Sequence, residues 1–349
     1  MYSEFLKEDL KNLSDYLDKT GFAGSRIMVT GATGLIGSLV IKAICEYNKT
    51  HKNAISCVGF ARNPQKVKSV FADFFDGSDE NISFVYQDIA APVPEGTECD
   101  YIIHTANSTT SKYFITNPVE VIESIYTGTK QIFDYAKESK VKGLVYLSSM
   151  EAFGQVYKDG RIGESELGYI DIQNIRSCYS EGKRLAECMA AAYAKEYGLP
   201  VRVARLSQTF GAGVPEGENR VFAQFARSAL KGEDIVLHTK GGTVGNYCYT
   251  ADVVRALLLL LKNGADGDVY TVVNEETAIT IADMAKMVAK EFSGGRSEVV
   301  FDIPEGNTFG YAPETKMRLS SKKLNSLGWS AKYNLKEMYE RMLPDLVRG

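Results

Sequence analysis

The sequence predicts an α/β fold, a doubly wound parallel sheet with a smaller C-terminal lobe. Three observations carry that prediction. Short apolar strands without polar interruption alternate with helical stretches as far as residue 205, the pattern of a parallel sheet covered by helices on both faces. A glycine-rich turn, Gly31-Ala-Thr-Gly34-Leu-Ile-Gly37, joins the first strand of that alternation to its first helix. Beyond Phe210 the chain becomes rich in glycine and proline, as in GAGVPEGENR and KGGTVGN.

The elements follow in order. Leu6, Leu10, Leu13 and Leu17 share one face of a leading helix over residues 3–18, which can pack on its own body or on a second subunit. RIMVT (26–30) reads as a buried strand and LIGSLVIKAICEY as the helix after the turn. Strand signals follow at 55–60, 82–86, 101–106 and 143–148, with helices near 63–75 and over 117–140. Asn117 before Pro118 reads as the N-cap of the long helix. A helix around 178–197 precedes the strand VRVAR (201–205). In the loop-rich remainder, helices are expected near 220–231, 251–263, 280–292 and 334–342, with strands at 235–237 and 268–272 and a flexible loop over 240–246. The expected organisation is a helical extension over 1–24, a dinucleotide-binding domain over 25–210 and a mainly substrate-binding lobe over 211–349. A segment of that lobe, about 235–275, is expected to return to the first domain.

At roughly 150 residues per domain, 349 residues make one large domain or two. A 44% hydrophobic, 24% charged chain has material for a full core. A net charge of −4 argues against nucleic acid as partner, and the apolar run 256–261 is far too short to span a membrane. Six cysteines form no CxxC pair and three histidines stand in no metal-ligand spacing, so no metal site is expected. MYSEFLKEDL lacks the basic-then-apolar pattern of a targeting peptide, and the expected location is the cytoplasm.

The glycine turn suits a dinucleotide. Its first glycine permits the tight turn, the second lets backbone approach a pyrophosphate, and the third lets helix and strand pack closely. The helix N-terminus then presents free N–H groups to the phosphates. Strand two ends Gly59-Phe60-Ala61-Arg62 without the carboxylate that holds the ribose of NAD. Arg62 can meet a 2′-phosphate or simply be solvated, so NAD and NADP both stay open. Asp88, after strand three, is a candidate for the adenine amino group or a turn cap before Ile89.

Tyr179-Ser-Glu-Gly-Lys183 puts a phenol and an amine on one helix face at i, i+4 spacing. A phenol is a poor base at neutral pH, with an ordinary pKa of ~10; a neighbouring ammonium and a cationic ring favour the phenolate. Ser149 ends the strand 143–148, at the sheet edge where open α/β folds bind ligands.

In this combination the chain resembles the extended short-chain dehydrogenase/reductases, with a Rossmann-type domain, and within them the nucleotide-sugar epimerase/dehydratase group. VTGATGLIG resembles that group's cofactor turn, LSSMEAFG its strand-five signature, VRVARLSQTFG its strand-six end and LGW (327–329) its C-terminal signature. Arg176-Ser-Cys-Tyr179-Ser-Glu-Gly-Lys183-Arg184 is most similar to the UDP-glucuronate decarboxylases. The resemblance implies redox-neutral chemistry on a nucleotide-activated sugar through a transient 4-keto intermediate, of epimerase or decarboxylase type, in a homodimer joined through the helices after strands four and five. It implies catalytic roles for Ser149, Tyr179, Lys183 and Glu151; Glu151 can also be a cap or an ion-pair partner. The cofactor set is Gly31, Thr33, Gly34, Leu35, Ile36 and Gly37, with Arg62, Asp88, Ile89, Thr105, Ala106, Tyr179 and Lys183. The substrate set is Ser149, Gln208, Arg220 and Tyr247. NAD is favoured by the resemblance, NADP by Arg62 and the missing acid.

Departures from the pattern are informative. Met150 stands where dehydratases carry Asp, Gln208 where Asn is usual, and Ile125 where Asn precedes Gly-Thr. Gly245 occupies the place of an Arg, seven positions before Asp252, on which the decarboxylases rely. His104 is expected to pack beside the cofactor, and Cys178 to fill space. An NADPH-dependent ketone or aldehyde reductase with the same triad, and a non-catalytic dinucleotide-binding sensor, remain alternative readings.

Overall fold

The computed structural model describes residues 2–74, 80–107, 109–215, 217–305 and 314–346. Seven parallel strands build the main sheet: β1 (Arg26–Thr30), β2 (Ser56–Ala61), β3 (Ile82–Tyr86), β4 (Tyr101–His104), β5 (Gly143–Ser149), β7 (Val201–Leu206) and β11 (Val269–Val272), in the order β11-β7-β5-β4-β1-β2-β3. The order reverses between β1 and β4, so the turn after β1 and the ends of β4 and β5 flank one crevice. Helices α1 (Glu4–Lys19), α2 (Leu35–Asn48), α3 (Pro64–Val70) and α8 (Thr250–Asn263) belong to the first of two large cores. Helices α4 (Ser111–Thr116), α5 (Pro118–Glu138) and α6 (Ser177–Tyr197) supply the second, with Met28, Ile102, Leu144 and Tyr146 of the sheet.

The smaller lobe contains β8 (Gln208–Phe210), β10 (Val244–Tyr249) and β12 (Asn274–Thr280) as one sheet, with β9 (Ile235–Leu237) paired to β13 (Val299–Phe301) and β6 (Arg161–Ile162) to β14 (Arg318–Leu319). Helices α7 (Val221–Lys231), α9 (Ile281–Phe292), α10 (Lys322–Asn325) and α11 (Leu335–Leu346) complete it. Of the strands in 235–275, only β11 joins the main sheet; β9 and β10 do not.

Helix α1 starts at Ser3, whose hydroxyl accepts the Leu6 N–H, and buries its four leucines on the body of its own chain. Asp9 at its centre accepts hydrogen bonds from the Tyr249 hydroxyl and from Arg341 at 2.7 Å, which ties the leading helix to β10 and α11.

Several local expectations need correction. The stretch 240–246 is not all loop, because Val244, Gly245 and Asn246 are buried in β10, between β8 and β12. Asn117 is the N-cap of α5 as expected, but its side chain makes no capping bond; its side-chain oxygen accepts from Thr116 instead, at 2.7 Å. Helix α3 is shorter than 63–75, ending at Val70, and Phe75 lies outside the described residues; so does Glu216 of the loop after Phe210. Strand four ends at His104 because Thr105 and Ala106 turn their N–H groups onto Thr30.

Candidate active site

The glycine turn is a backbone cradle with no room for side chains. Gly31 has φ +67°, and a Cβ there would lie 2.5 Å from Thr105 Oγ1 and 3.0 Å from the Ala106 nitrogen. A Cβ on Gly37 would lie 2.4 Å from the Gly31 carbonyl oxygen. Thr30 Oγ1 accepts the N–H groups of Thr105 at 3.1 Å and Ala106 at 3.2 Å, which holds the end of β4 against the turn. Gly34 is the N-cap of α2 and has no side chain to cap it, so the N–H groups of Leu35 and Ile36 beside Thr33 are left for a ligand. These features fit a pyrophosphate-bearing dinucleotide.

At the other end of that site Arg62 is 78% exposed, 3.7 Å from Asp88. Asp88 also accepts the Ala90 N–H at 2.9 Å, so it caps the turn after β3. Ile89 is buried under α5, against Gly128.

Across the crevice, β5 and α6 bring the expected triad together. Ser149 stands near enough to Tyr179 to act on its phenol, and the Tyr179 ring stacks on Phe114 at 4.3 Å. Burial pushes the Tyr179 phenol well up, the Glu151 charge adds to that, and Ser149, Arg176 and Arg220 act against it. Lys183, one turn further along α6, lies 5.6 Å from the Tyr179 ring centre. Its amine donates to the Leu147 carbonyl at 2.7 Å and to the Tyr146 hydroxyl at 3.1 Å. Burial pulls Lys183 down to about 7, against the attraction of Glu187.

Glu151 is held as an ion-pair partner. Both of its oxygens accept from the Arg176 guanidinium at 2.9 Å, and one also accepts from Ser180 at 3.2 Å. Its own N–H donates to Ser149 Oγ at 3.2 Å. Arg176, three residues before Tyr179, lies over the Phe114 ring at 5.8 Å, so this arginine and Phe114 frame the tyrosine. Neither stands out in the sequence as a site residue; the signal for Arg176 is its place in the Tyr/Lys motif.

The substrate set divides. Arg220 pairs with Glu218 at 2.7 Å and yet is near enough for its charge to act on Tyr179. Gln208 is exposed, beside Tyr247 in the β8–β10 register. Tyr247, expected on the substrate wall, is instead 1% exposed, edge-on to Phe210 at 5.8 Å. A Cβ on Gly245 would lie 2.3 Å from the Tyr247 hydroxyl, so this phenol fills the space of a residue-245 side chain. His104 is buried, pushed down to about 3 by that burial and by the charge of Lys183. Cys178 donates to the Phe114 carbonyl at 3.4 Å. Asn107, just past Ala106, has both amide atoms buried without a partner among the described residues, a feature with no signal in the sequence.

The profile of the NAD dependent epimerase/dehydratase family matches residues 27–274, from the first strand of the cradle to the start of β12. The chain belongs to this family. Members of the NAD-dependent epimerase/dehydratase family are enzymes, and this chain is one of them. Among curated relatives, UDP-glucuronic acid decarboxylase 3 of Arabidopsis thaliana is 28% identical over 327 residues, covering 89% of this chain and 86% of that protein. UDP-glucuronic acid decarboxylase 1 of Danio rerio is 28% identical over 316 residues, covering 89% and 70%. The fold is shared with UDP-glucose 4-epimerase of Thermotoga maritima, at a TM-score of 0.76, 24% identity and coverage of 92% and 98%. It is also shared with an NAD-bound dTDP-glucose 4,6-dehydratase of Bacillus anthracis, at 0.72, 20% identity and coverage of 92% and 96%. Among the described residues, no helix is long and apolar enough to cross a membrane.

Proposed function

We propose that this enzyme converts a nucleotide-activated sugar without net redox change, through a transient 4-keto intermediate, with NAD(P) bound throughout. The observation that carries the reading is Tyr179, with Ser149 near its phenol and Lys183 one helical turn later, across the crevice from the glycine cradle. A bound nicotinamide would supply the acceptor and donor of the hydride. Tyr179 takes the proton of the C4 hydroxyl as the C4–H bond breaks, and Ser149 holds the same oxygen. Burial alone keeps the phenol protonated, so the reaction depends on the cations around it: Lys183, Arg176 and Arg220. With a ketone at C4, a carboxylate on the neighbouring carbon can leave as CO₂, its electron pair passing into the ketone as an enolate that takes a solvent proton at that carbon. Tyr179 gives its own proton back to the C4 oxygen when the hydride returns. Glu151, locked to Arg176, acts in this reading by fixing Ser149 and the guanidinium rather than as a free acid.

Gly31, Thr33, Gly34, Leu35, Ile36 and Gly37 hold the pyrophosphate, with Thr105 and Ala106 bracing them. Asp88 beside Arg62 returns a carboxylate to the adenosine end, which favours NAD over NADP. The curated relatives favour a UDP-uronate as substrate and decarboxylation as the reaction. One observation favours C4 epimerisation of a neutral sugar instead: Tyr247 fills the space over Gly245, so no cation stands there to meet a carboxylate. A homodimer is supported by the exposed apolar side chains Ile115, Val119, Ile122 and Tyr126 on α4–α5 and Leu185 on α6.

The test is incubation with UDP-glucuronate and UDP-glucose, with products followed by NMR. Loss of CO₂ or an isomerised sugar, without NAD(P)H consumption and abolished in Tyr179→Phe, is the expected result. Stoichiometric oxidation of NADPH assigns the protein to the reductases, and full activity in Tyr179→Phe removes the proposed base.

A further inference from the structure

Lys183 is buried at 2% exposure, and two of its three N–H groups are already committed. One goes to the Leu147 carbonyl, which any residue at that position would supply. The other goes to the Tyr146 hydroxyl, which only this side chain supplies. Tyr146 lies in the middle of an apolar strand and is fully buried, with the amine 4.7 Å above its ring centre. Thr129 of α5 is near enough to that hydroxyl to act on the phenol.

From Thr129 a line of polar contacts runs to the Thr30 turn. His104 Nε2 is 3.4 Å from Thr129 Oγ1, and His104 Nδ1 is 2.7 Å from Thr30 Oγ1. The direction of the bonds follows from the backbone. Thr30 Oγ1 already accepts two N–H groups, from Thr105 and Ala106, so its own proton goes to His104 Nδ1. His104 is therefore the Nε2–H tautomer and donates to Thr129. Burial keeps this histidine neutral, so the line carries no charge of its own from Thr30 to Thr129.

We propose that Tyr146 is a positioning residue for Lys183, its hydroxyl, beside the neutral line from Thr129 through His104 to the Thr30 turn, holding the amine toward Tyr179 whether the amine is charged or neutral. A hydroxyl can accept from an ammonium and donate to an amine, whereas the Leu147 carbonyl can only accept. The charged bond is the stronger of the two, so Tyr146 supports the ammonium more than the amine. The other groups facing Lys183 are Glu187 on its own helix, held by Arg205 at 2.6 Å and by Ser148, together with His104 and the Tyr179 ring. The inference rests on the reading of Tyr179 and Lys183 as the reacting pair.

Tyr146→Phe tests it, because the ring and its packing remain and only the hydroxyl is lost. In the full chain, with and without NAD, ¹³Cε-lysine NMR follows the titration of Lys183, its resonance identified from Lys183→Arg. The wild-type midpoint is expected far below that of an ordinary lysine. In Tyr146→Phe it is expected to fall by about half a unit or more, with a smaller fall in Thr129→Val. If nucleotide sugars are turned over, kcat at pH 7 falls about tenfold in Tyr146→Phe while KM stays within about twofold. A midpoint unchanged or raised in Tyr146→Phe overturns the inference. The titration needs no substrate, so its outcome decides the role of Tyr146 even if the proposed reaction fails.

Discussion

Gly37→Ala puts the cradle under direct strain. Alanine is the better helix former by about 1 kcal/mol, and Gly37 lies in the first turn of α2, so propensity alone predicts stabilisation. The structure predicts the opposite. The new Cβ would lie 2.4 Å from the Gly31 carbonyl oxygen, 3.1 Å from its carbon and 3.2 Å from Thr105 Oγ1, where real Cβ contacts essentially never fall under 3.0 Å. The obstacle is backbone, so the turn itself must open by about half an ångström or more, and overpacking of this kind costs roughly 1–3 kcal/mol. The opened turn is the one proposed to bind pyrophosphate, and a misplacement of that size weakens NAD binding by about tenfold or more. Gly182→Ala is the matched control: its Cβ would meet only the end of the Ile125 side chain, at 2.8 Å, which can turn away. Denaturant unfolding and calorimetric titration with NAD measure both effects. A Gly37→Ala protein as stable as wild type, with unchanged NAD affinity, refutes this reasoning.

Neutral burial of His104 makes stability pH-dependent. The unfolded chain binds a proton near pH 6.5 that the folded chain refuses until about 3, so stability present above pH 6.5 is lost as pH falls toward 3, by roughly 5 kcal/mol in all. His104→Gln is expected to flatten urea-determined stability over that window; an equally steep loss contradicts the assignment. Lys183 has the same sign at higher pH: the unfolded chain keeps its proton up to 10.5 and the folded one only to about 7, so this site's stability is lost as pH falls from 10.5 through 7. Lys183→Met is therefore expected to raise the stability of the ligand-free protein at pH 7 by about 2 kcal/mol while abolishing turnover, and a less stable variant in the same urea titration contradicts the cost assigned to the buried amine. Ile122→Asp together with Tyr126→Asp on the exposed face of α5 is expected to convert a dimer to a monomer in light scattering, and an unchanged mass excludes that face.

The main sheet was legible because its strands are mostly apolar and its helices amphipathic, so the two periods separate cleanly from Arg26 to Leu206. The lobe was less so. Gly241, Gly242 and Gly245 read as a loop, yet Val244 to Tyr249 form a buried strand in which Gly245 is required by the Tyr247 ring. Such a requirement comes from a tertiary contact and leaves no periodic trace. In the site, Tyr179 and Lys183 were legible because both stand on one helix, and Ser149 because strand ends are readable. Tyr146 was not, since an aromatic residue in an apolar strand looks like packing until its hydroxyl is seen to meet an amine 37 residues away. Glu151 was legible only in part: its position was plain, its capture by Arg176 was not. The leading helix was readable as amphipathic, but only Asp9, Tyr249 and Arg341 together say which surface it covers.

At the heart of the proposed mechanism, hydride leaves a sugar carbon and returns to it within one enzyme-bound cycle. A UDP-sugar deuterated at C4, incubated with the holoenzyme and followed by NMR and mass spectrometry, tests this step without intermediaries. The mechanism predicts a converted sugar that retains its deuterium at C4, with no label in free cofactor and no net NAD(P)H. Deuterium washed out to solvent, or passed stoichiometrically to released cofactor, contradicts it.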